Sequence, residues 1–133
     1  MADAVEQIRG SYEALNRRDI DATMAVLDAD AKWVEHSDMP EAGSYEGRET
    51  IRGFLELFLD SWDEFEQQIE EVHAEHDCVL LFIRLTASGR GSGIDVESRY
   101  AHLWSMRDGQ GVRVDAYYDR DSALAALRAA SDK

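Results

Sequence analysis

Residues 3–36 read DAVEQIRGSYEALNRRDIDATMAVLDADAKWVEH, and this stretch decides the fold. Apolar side chains recur every three or four positions in its first half, which predicts a helix. They are Val5, Ile8, Tyr12 and Leu15. Asp19 is placed to cap a second, shorter helix whose apolar residues are Ile20, Met24 and Leu27.

The end of the same stretch alternates as a strand does. Trp33 and Glu35 fall on one face of it, and Lys32 and Val34 fall on the other. If Trp33 faces the core, Glu35 faces it too. A buried carboxylate is costly without a partner, so an inward Glu35 is either paired or functional.

Length and composition bound the class of protein. We expect one domain over residues 1–133, with 44% hydrophobic residues, as in globular proteins. The sequence has no long apolar run and no basic region followed by an apolar stretch, so we expect neither a transmembrane helix nor a secretory signal. Its single cysteine, Cys78, fits a reducing compartment, so we expect a cytoplasmic protein.

The net charge is −14, which disfavours nucleic acid as a partner because phosphate backbones are also negative. Lys32 and Lys133 are the only lysines. An acidic, lysine-poor surface suits high salt, but a GC-rich genome would also favour arginine, and both interpretations stay open.

The rest of the chain predicts one more long helix and then strands. An apolar stripe after Pro40 predicts the helix, with Ile51, Phe54, Leu55, Phe58, Leu59 and Trp62. Four strands joined by short turns favour an antiparallel meander, at residues 63–75, 79–87, 94–107 and 112–119. A short helix capped by Asp121 or Ser122 closes the chain. This order predicts an α+β fold, with a curved antiparallel sheet wrapped on three helices from the N-terminal half.

The second face of this sheet is expected to be apolar. We assign to it Leu81, Ile83, Leu85, Leu103 and Tyr117. A sheet face left in water is usually polar, so we expect a second copy of the chain to cover it in a homodimer. The alternative is that the C-terminal helix or the strand twist hides these residues.

Three stretches together resemble the nuclear-transport-factor-2-like superfamily and its SnoaL-like branch, which includes ketosteroid isomerases, limonene-epoxide hydrolases and polyketide cyclases. They are YEALNRRDIDATMAVLDADAKWVEHSDMP (12–40), YEGRETIRGFLELF (45–58) and SMRDGQGVRVDAYYD (105–119). The resemblance implies a cystatin-like cone with a pocket that opens at one end, and dimerisation through the sheet.

The resemblance also implies site residues. Glu35 falls where the steroid isomerases place their general base, but Ser11 and Ser98 stand where they place the tyrosine and aspartic acid that hold the enolate. Arg84 matches the arginine of the epoxide hydrolases, but Thr86 and Ala116 stand where their two aspartates would be. Neither catalytic set is complete.

We expect an apolar pocket for a small hydrophobic molecule, with Glu35, Arg84 and His102 as catalytic candidates. The ligand-binding candidates are Tyr12, Trp33, Phe54, Phe58, Phe82, Tyr100, Trp104 and Tyr118. Glu35 is either a general base against apolar walls or the structural ion-pair partner of Arg84. Arg84 either stabilises an anion or packs its stem and reaches solvent.

His102 is either a proton shuttle or a core histidine whose hydrogen bonds are satisfied. We expect no metal and no cofactor, because no spacing of histidines or cysteines matches a metal site. The resulting hypothesis is a cofactor-free isomerase or cyclase acting on a small hydrophobic carbonyl compound, with Glu35 as the base. The alternatives are a non-catalytic binder of a hydrophobic metabolite and an accessory dimerisation domain.

The charge of −14 predicts that salt stabilises the folded state. Screening weakens the repulsion between carboxylates, so the melting temperature is expected to rise between dilute buffer and molar KCl. A melting temperature that does not change across this series would contradict the high-salt interpretation of the surface.

Overall fold

The computed structural model describes residues 2–36, 43–89, 91 and 93–131. Pro40 and Lys133 lie outside these residues. Four helices are present: α1 (Ala2–Asn16), α2 (Ile20–Met24), α3 (Arg48–Asp60) and α4 (Arg120–Ser131). The strands are β1 (Leu27–His36), β2 (Ser44–Glu46), β3 (Trp62–Glu75), β4 (Cys78–Gly89), β5 (Asp95–Arg107) and β6 (Gln110–Tyr117).

The predicted α+β fold is confirmed, with a curved sheet in the order β2-β1-β6-β5-β4-β3. Strands β3 to β6 form the predicted antiparallel meander. Strand β1 lies parallel to β6, and the short edge strand β2, which we did not predict, pairs antiparallel with β1. The parallel pair brings the N-terminal strand beside the last one, so Glu35 lies next to Ala116.

Helices α1 to α3 cover one face of the sheet, which we call the inner face. The apolar stripes of α1 and α3 pack there against β1, β4 and β5, as the sequence predicts. Trp62, which was predicted to end the α3 stripe, instead begins β3. Among the most deeply buried side chains of this core are Ile8, Ile51, Ile83 and Trp104. This burial fixes which side chains of each strand point at the helices.

Helix α4 covers the other face, which we call the outer face. Its Ala123 and Leu127 pack on Leu80 and Leu103, and Cys78 lies in the same apolar cluster. Asp119 caps this helix by accepting a hydrogen bond from the Ser122 backbone nitrogen at 2.8 Å, so the predicted caps, Asp121 and Ser122, are wrong. Asp19 caps α2 as predicted.

The predicted faces of β4 are wrong. Cross-strand neighbours share a face, and Ile83 pairs with Tyr100 whereas Phe82 pairs with Ala101. Leu81, Ile83 and Leu85 therefore lie on the inner face, and Phe82 and Arg84 lie on the outer one. The outer face is less apolar than expected and α4 covers part of it, which was the alternative to a dimer. The homodimer stays a prediction.

Within the described part of the chain, no helix is both long and apolar enough to cross a membrane.

Gly111 allows Trp104 to pack against β6. A Cβ atom at this position would lie 2.6 Å from the indole ring, closer than two carbons can approach. Gly111→Ala is expected to destabilise the fold by about 1–3 kcal/mol, measured by urea unfolding.

Gly10→Ala is the matched control for this substitution. Gly10 lies exposed in α1 with open space around it, so alanine should stabilise the fold by about 0.5–1 kcal/mol through helix propensity. Equal effects at the two glycines would contradict the packing described here.

Candidate functional site

A cavity of about 250 Å³ lies between the inner face of the sheet and helices α1 to α3. Its walls are largely apolar and aromatic. It is lined by Ser11, Tyr12, Leu15, Thr23, Leu27, Trp33, Glu35, Phe54, Leu55, Phe58, Gln67, Leu85, Ser98, Tyr100, His102, Trp104 and Tyr118. An apolar cavity with a few polar groups is the usual form of a small-molecule site.

The strand register places Glu35 and His102 on either side of Ala116. Glu35 pairs with Ala116 on β6, which in turn pairs with His102 on β5. Two strand spacings separate the backbones of Glu35 and His102 by roughly 10 Å. Ala116 itself is fully buried, and the Trp33 indole packs edge-on against the His102 ring, with the ring centroids 4.9 Å apart. Glu35, Trp33 and His102 all line the cavity.

Glu35 has one engaged and one unengaged carboxylate oxygen. The Tyr118 hydroxyl donates to Oε1 at 3.0 Å, whereas Oε2 is buried without a partner among the described residues. Burial, followed by the charge of Glu35, raises the pKa of Tyr118, so this phenol stays a donor. Tyr118 is 50% exposed and marks the mouth of the cavity.

A chain of buried hydrogen bonds connects Trp104, Tyr12 and His102. The Trp104 indole nitrogen donates to the Tyr12 hydroxyl at 3.0 Å. That hydroxyl lies 2.5 Å from His102 Nδ1. Burial raises the pKa of Tyr12, so the phenol is protonated and its one proton is available to Nδ1.

Burial sets the charge of His102, and the hydrogen bond from Tyr12 sets which ring nitrogen carries the proton. Burial lowers the pKa of His102 to about 3, so the imidazole is neutral near neutral pH. Nδ1 accepts the Tyr12 proton and the ring proton is therefore on Nε2. His102 can donate a hydrogen bond through Nε2, but it is poorly suited to the cationic step of a proton shuttle.

Gln67 and Tyr100 form a second polar pair. The Gln67 side-chain amide nitrogen donates to the Tyr100 hydroxyl, while Gln67 Oε1 is buried without a partner among the described residues. Burial raises the pKa of Tyr100 to about 12, so this phenol also keeps its proton. The Trp33 indole nitrogen is a further buried donor without a described partner.

The structure brings most of the predicted site residues together. Those that line the cavity are Tyr12, Trp33, Glu35, Phe54, Phe58, Tyr100, His102, Trp104 and Tyr118. Phe82 and Arg84 do not, because both lie on the outer face. Arg84 pairs with Glu97 at 3.1 Å, so the alternative in which it neutralises Glu35 is wrong. Phe82 packs under the Arg120 guanidinium, 4.5 Å from it.

Several lining residues were not among the predicted site residues, and Gln67 is the most polar of them. Gln67 alternates with Phe65 and Ile69 on the inner face, and the bulge between Ile69 and Glu71 interrupts this alternation only beyond Gln67. Ser11 and Ser98, which the resemblance did identify as family positions, also line the cavity. Ser11 donates its hydroxyl to the Thr23 carbonyl at 2.9 Å.

Across the described ranges, no three histidine, cysteine or acidic side chains are grouped so as to hold a metal ion. Cys78 is buried on the outer face, where burial raises the pKa of its thiol.

Comparison with known proteins identifies the family and the fold. The SnoaL-like domain family matches residues 8–114. No curated protein matches the chain. A nuclear-transport-factor-2-like protein of unknown function from Burkholderia pseudomallei is 20% identical, with 96% of this chain and 97% of that chain covered and a TM-score of 0.80.

Two further structures carry functional names. A candidate SnoaL-like polyketide cyclase from Jannaschia sp. is 21% identical over 98% of this chain and 92% of its own, with a TM-score of 0.77. A protein with a ketosteroid-isomerase-like fold from Catenulispora acidiphila, solved with trimethylamine, is 20% identical over 90% of each chain, with a TM-score of 0.75. At these identities the similarity establishes the fold alone.

The buried neutral His102 predicts an acid-sensitive fold. Its folded pKa of about 3 lies below the unfolded value of 6.5, so the unfolded chain binds the extra proton as pH falls between them. The stabilisation is complete well above pH 6.5 and is lost progressively as pH falls toward 3, by an amount on the order of 2 kcal/mol at pH 5.

This loss is measured as the difference between the wild-type protein and His102→Asn in urea unfolding at pH 6.5 and pH 5. The variant lacks the titrating group, so its stability is expected to fall less. His76→Asn, at an exposed turn, should keep the wild-type pH dependence. The same pH dependence in the wild type and in His102→Asn would show that His102 is not held neutral.

Proposed function

The chain belongs to the SnoaL-like domain family, and we propose that it is a cofactor-free enzyme that moves a proton on a small hydrophobic carbonyl compound. The observation that carries this proposal is the buried, unpartnered Oε2 of Glu35 in an apolar cavity. A carboxylate without a cation beside it is suited to accept a proton from a weak carbon acid.

Donors for the developing charge come from β5. Removal of a proton next to a carbonyl moves the electron pair of the broken C–H bond onto the carbonyl oxygen. The Nε2–H of His102 and the Tyr100 hydroxyl are neutral donors that would stabilise this enolate oxygen. Donors fixed before the reaction add no reorganisation cost when the charge appears.

Glu35 would act twice in one turnover. In a compound with a C=C bond beside the α-carbon, Oε2 takes the α-proton and the resulting acid returns it to the γ-carbon. The Cβ=Cγ electron pair binds this proton, and the double bond moves to Cα=Cβ as the carbonyl re-forms, which completes an isomerisation. In a cyclisation, the enolate carbon instead attacks a carbonyl carbon of the same molecule, whose π pair moves onto its oxygen and takes the proton from the Glu35 acid. Tyr118 holds the carboxylate through Oε1 and leaves Oε2 directed to the reaction.

Non-catalytic binding of a hydrophobic metabolite is the second candidate, and one observation favours it. Ser11 occupies the position of an enolate-holding tyrosine in the related steroid isomerases, and its hydroxyl is engaged by the Thr23 carbonyl. Under this alternative the aromatic walls bind a ligand that is released unchanged.

Glu35→Gln separates the two candidates. We expect this variant to keep ligand binding and to lose α-proton exchange by roughly a hundredfold or more, because it removes the base but preserves the shape of the side chain. The measurement is deuterium exchange of β-tetralone in D2O by NMR, with binding followed by tryptophan fluorescence.

Glu66→Gln is the control, because Glu66 is an exposed carboxylate on β3. It should exchange as fast as the wild type. Undiminished exchange in Glu35→Gln, with binding intact, would rule out Glu35 as the base and leave the binding alternative.

A further inference from the structure

Gln67 Oε1 has no role in the chemistry proposed above. Gln67 is 7% exposed and lines the cavity, and this oxygen has no partner within the described ranges. Burying an acceptor without a hydrogen bond costs free energy. A ligand that donates a hydrogen bond to Oε1 would recover this cost on binding.

The position of this oxygen is fixed from two sides. The Asn16 side chain, at the end of α1, bonds both the Gln67 backbone nitrogen at 2.9 Å and its carbonyl at 3.0 Å. The amide nitrogen of Gln67 is held by the Tyr100 hydroxyl. With the backbone and one end of the amide both tied, the direction of Oε1 is set before a ligand arrives.

The charge of the cavity also restricts which ligand group can donate to Gln67 Oε1. No lysine or arginine is among the described lining residues, and His102 is neutral, so Glu35 is the one charged group there. A carboxylate or phosphate on the ligand would find no cation and would be repelled by Glu35. An uncharged hydroxyl or N–H group matches an amide oxygen.

We propose that Gln67 selects substrates that carry a hydrogen-bond donor, a hydroxyl or N–H group on the ring system, in addition to the reacting carbonyl. This inference rests on the proposed function for the carbonyl and adds a second recognition point. Glu35 and His102 handle the reacting end of the molecule, and Gln67 binds a substituent that does not react.

The test compares β-tetralone with derivatives that carry hydroxyl, amino or methoxy groups at each free position of the aromatic ring. The wild-type protein is expected to bind one hydroxyl or amino isomer about 10-fold to 100-fold more tightly than β-tetralone itself. The matching methoxy compound, which cannot donate, should gain nothing. Comparing the affinities of the hydroxyl and amino compounds shows whether Gln67 prefers an O–H or an N–H donor.

Gln67→Met and Gln67→Leu keep the volume near that of the side chain and remove the acceptor. In both variants the donor isomer should bind no more tightly than β-tetralone does in the same variant. Gln68→Met is the matched control, since Gln68 is the exposed neighbour on the same strand. This variant should retain the full preference.

The inference is overturned if the wild-type protein binds no member of the series, or binds all members equally tightly. Neither result depends on the folding of a variant. A preference for the methoxy compound, or one that survives in Gln67→Met, overturns it as well. Failure of the proposed function gives a different result. Glu35→Gln would then leave deuterium exchange unchanged, while the preference that depends on Gln67 would still be present.

Discussion

The hydrogen-bonded chain from Trp104 through Tyr12 to His102 is the constraint on which the site depends. It joins residues 92 and 90 positions apart in sequence, across the contact between α1 and the sheet. Because all three groups are buried, each donor needs its acceptor, and the set has one consistent arrangement of protons. The packing of the first helix on the sheet thereby decides which proton His102 carries.

The remaining site follows from this arrangement and from the strand register. β6 lies between β1 and β5, so Ala116 separates Glu35 from His102 in the sheet, and both side chains line the cavity. The parallel pairing of β1 with β6 therefore sets the position of Glu35 in the cavity. The polar groups of the cavity are of three kinds. His102 and Tyr100 on β5 are donors, Glu35 on β1 is an acceptor, and Gln67 on β3 presents an amide oxygen.

The sequence predicts elements that have one polar and one apolar side. The stripe of α3 and the alternation of Trp33 and Glu35 are of this kind, and both are confirmed. β4 is apolar on both faces, so its orientation depends on pairing with β5, and Phe82 and Arg84 were misplaced for that reason. The protonation of His102 depends on Tyr12, which is distant in sequence and leaves no local signal. Gln67 alternates with Phe65 and Ile69 on the inner face, but its polar side chain does not mark that face as buried.

The most direct test of this account is nitrogen NMR of isotope-labelled His102. The account predicts a neutral imidazole protonated at Nε2, with a spectrum that does not change between pH 8 and pH 5, because the pKa lies near 3. The Tyr12→Phe variant should lose this fixed tautomer, since it removes the proton given to Nδ1. A His102 that titrates near its ordinary pKa, or that is protonated at Nδ1 in the wild type, would contradict the account.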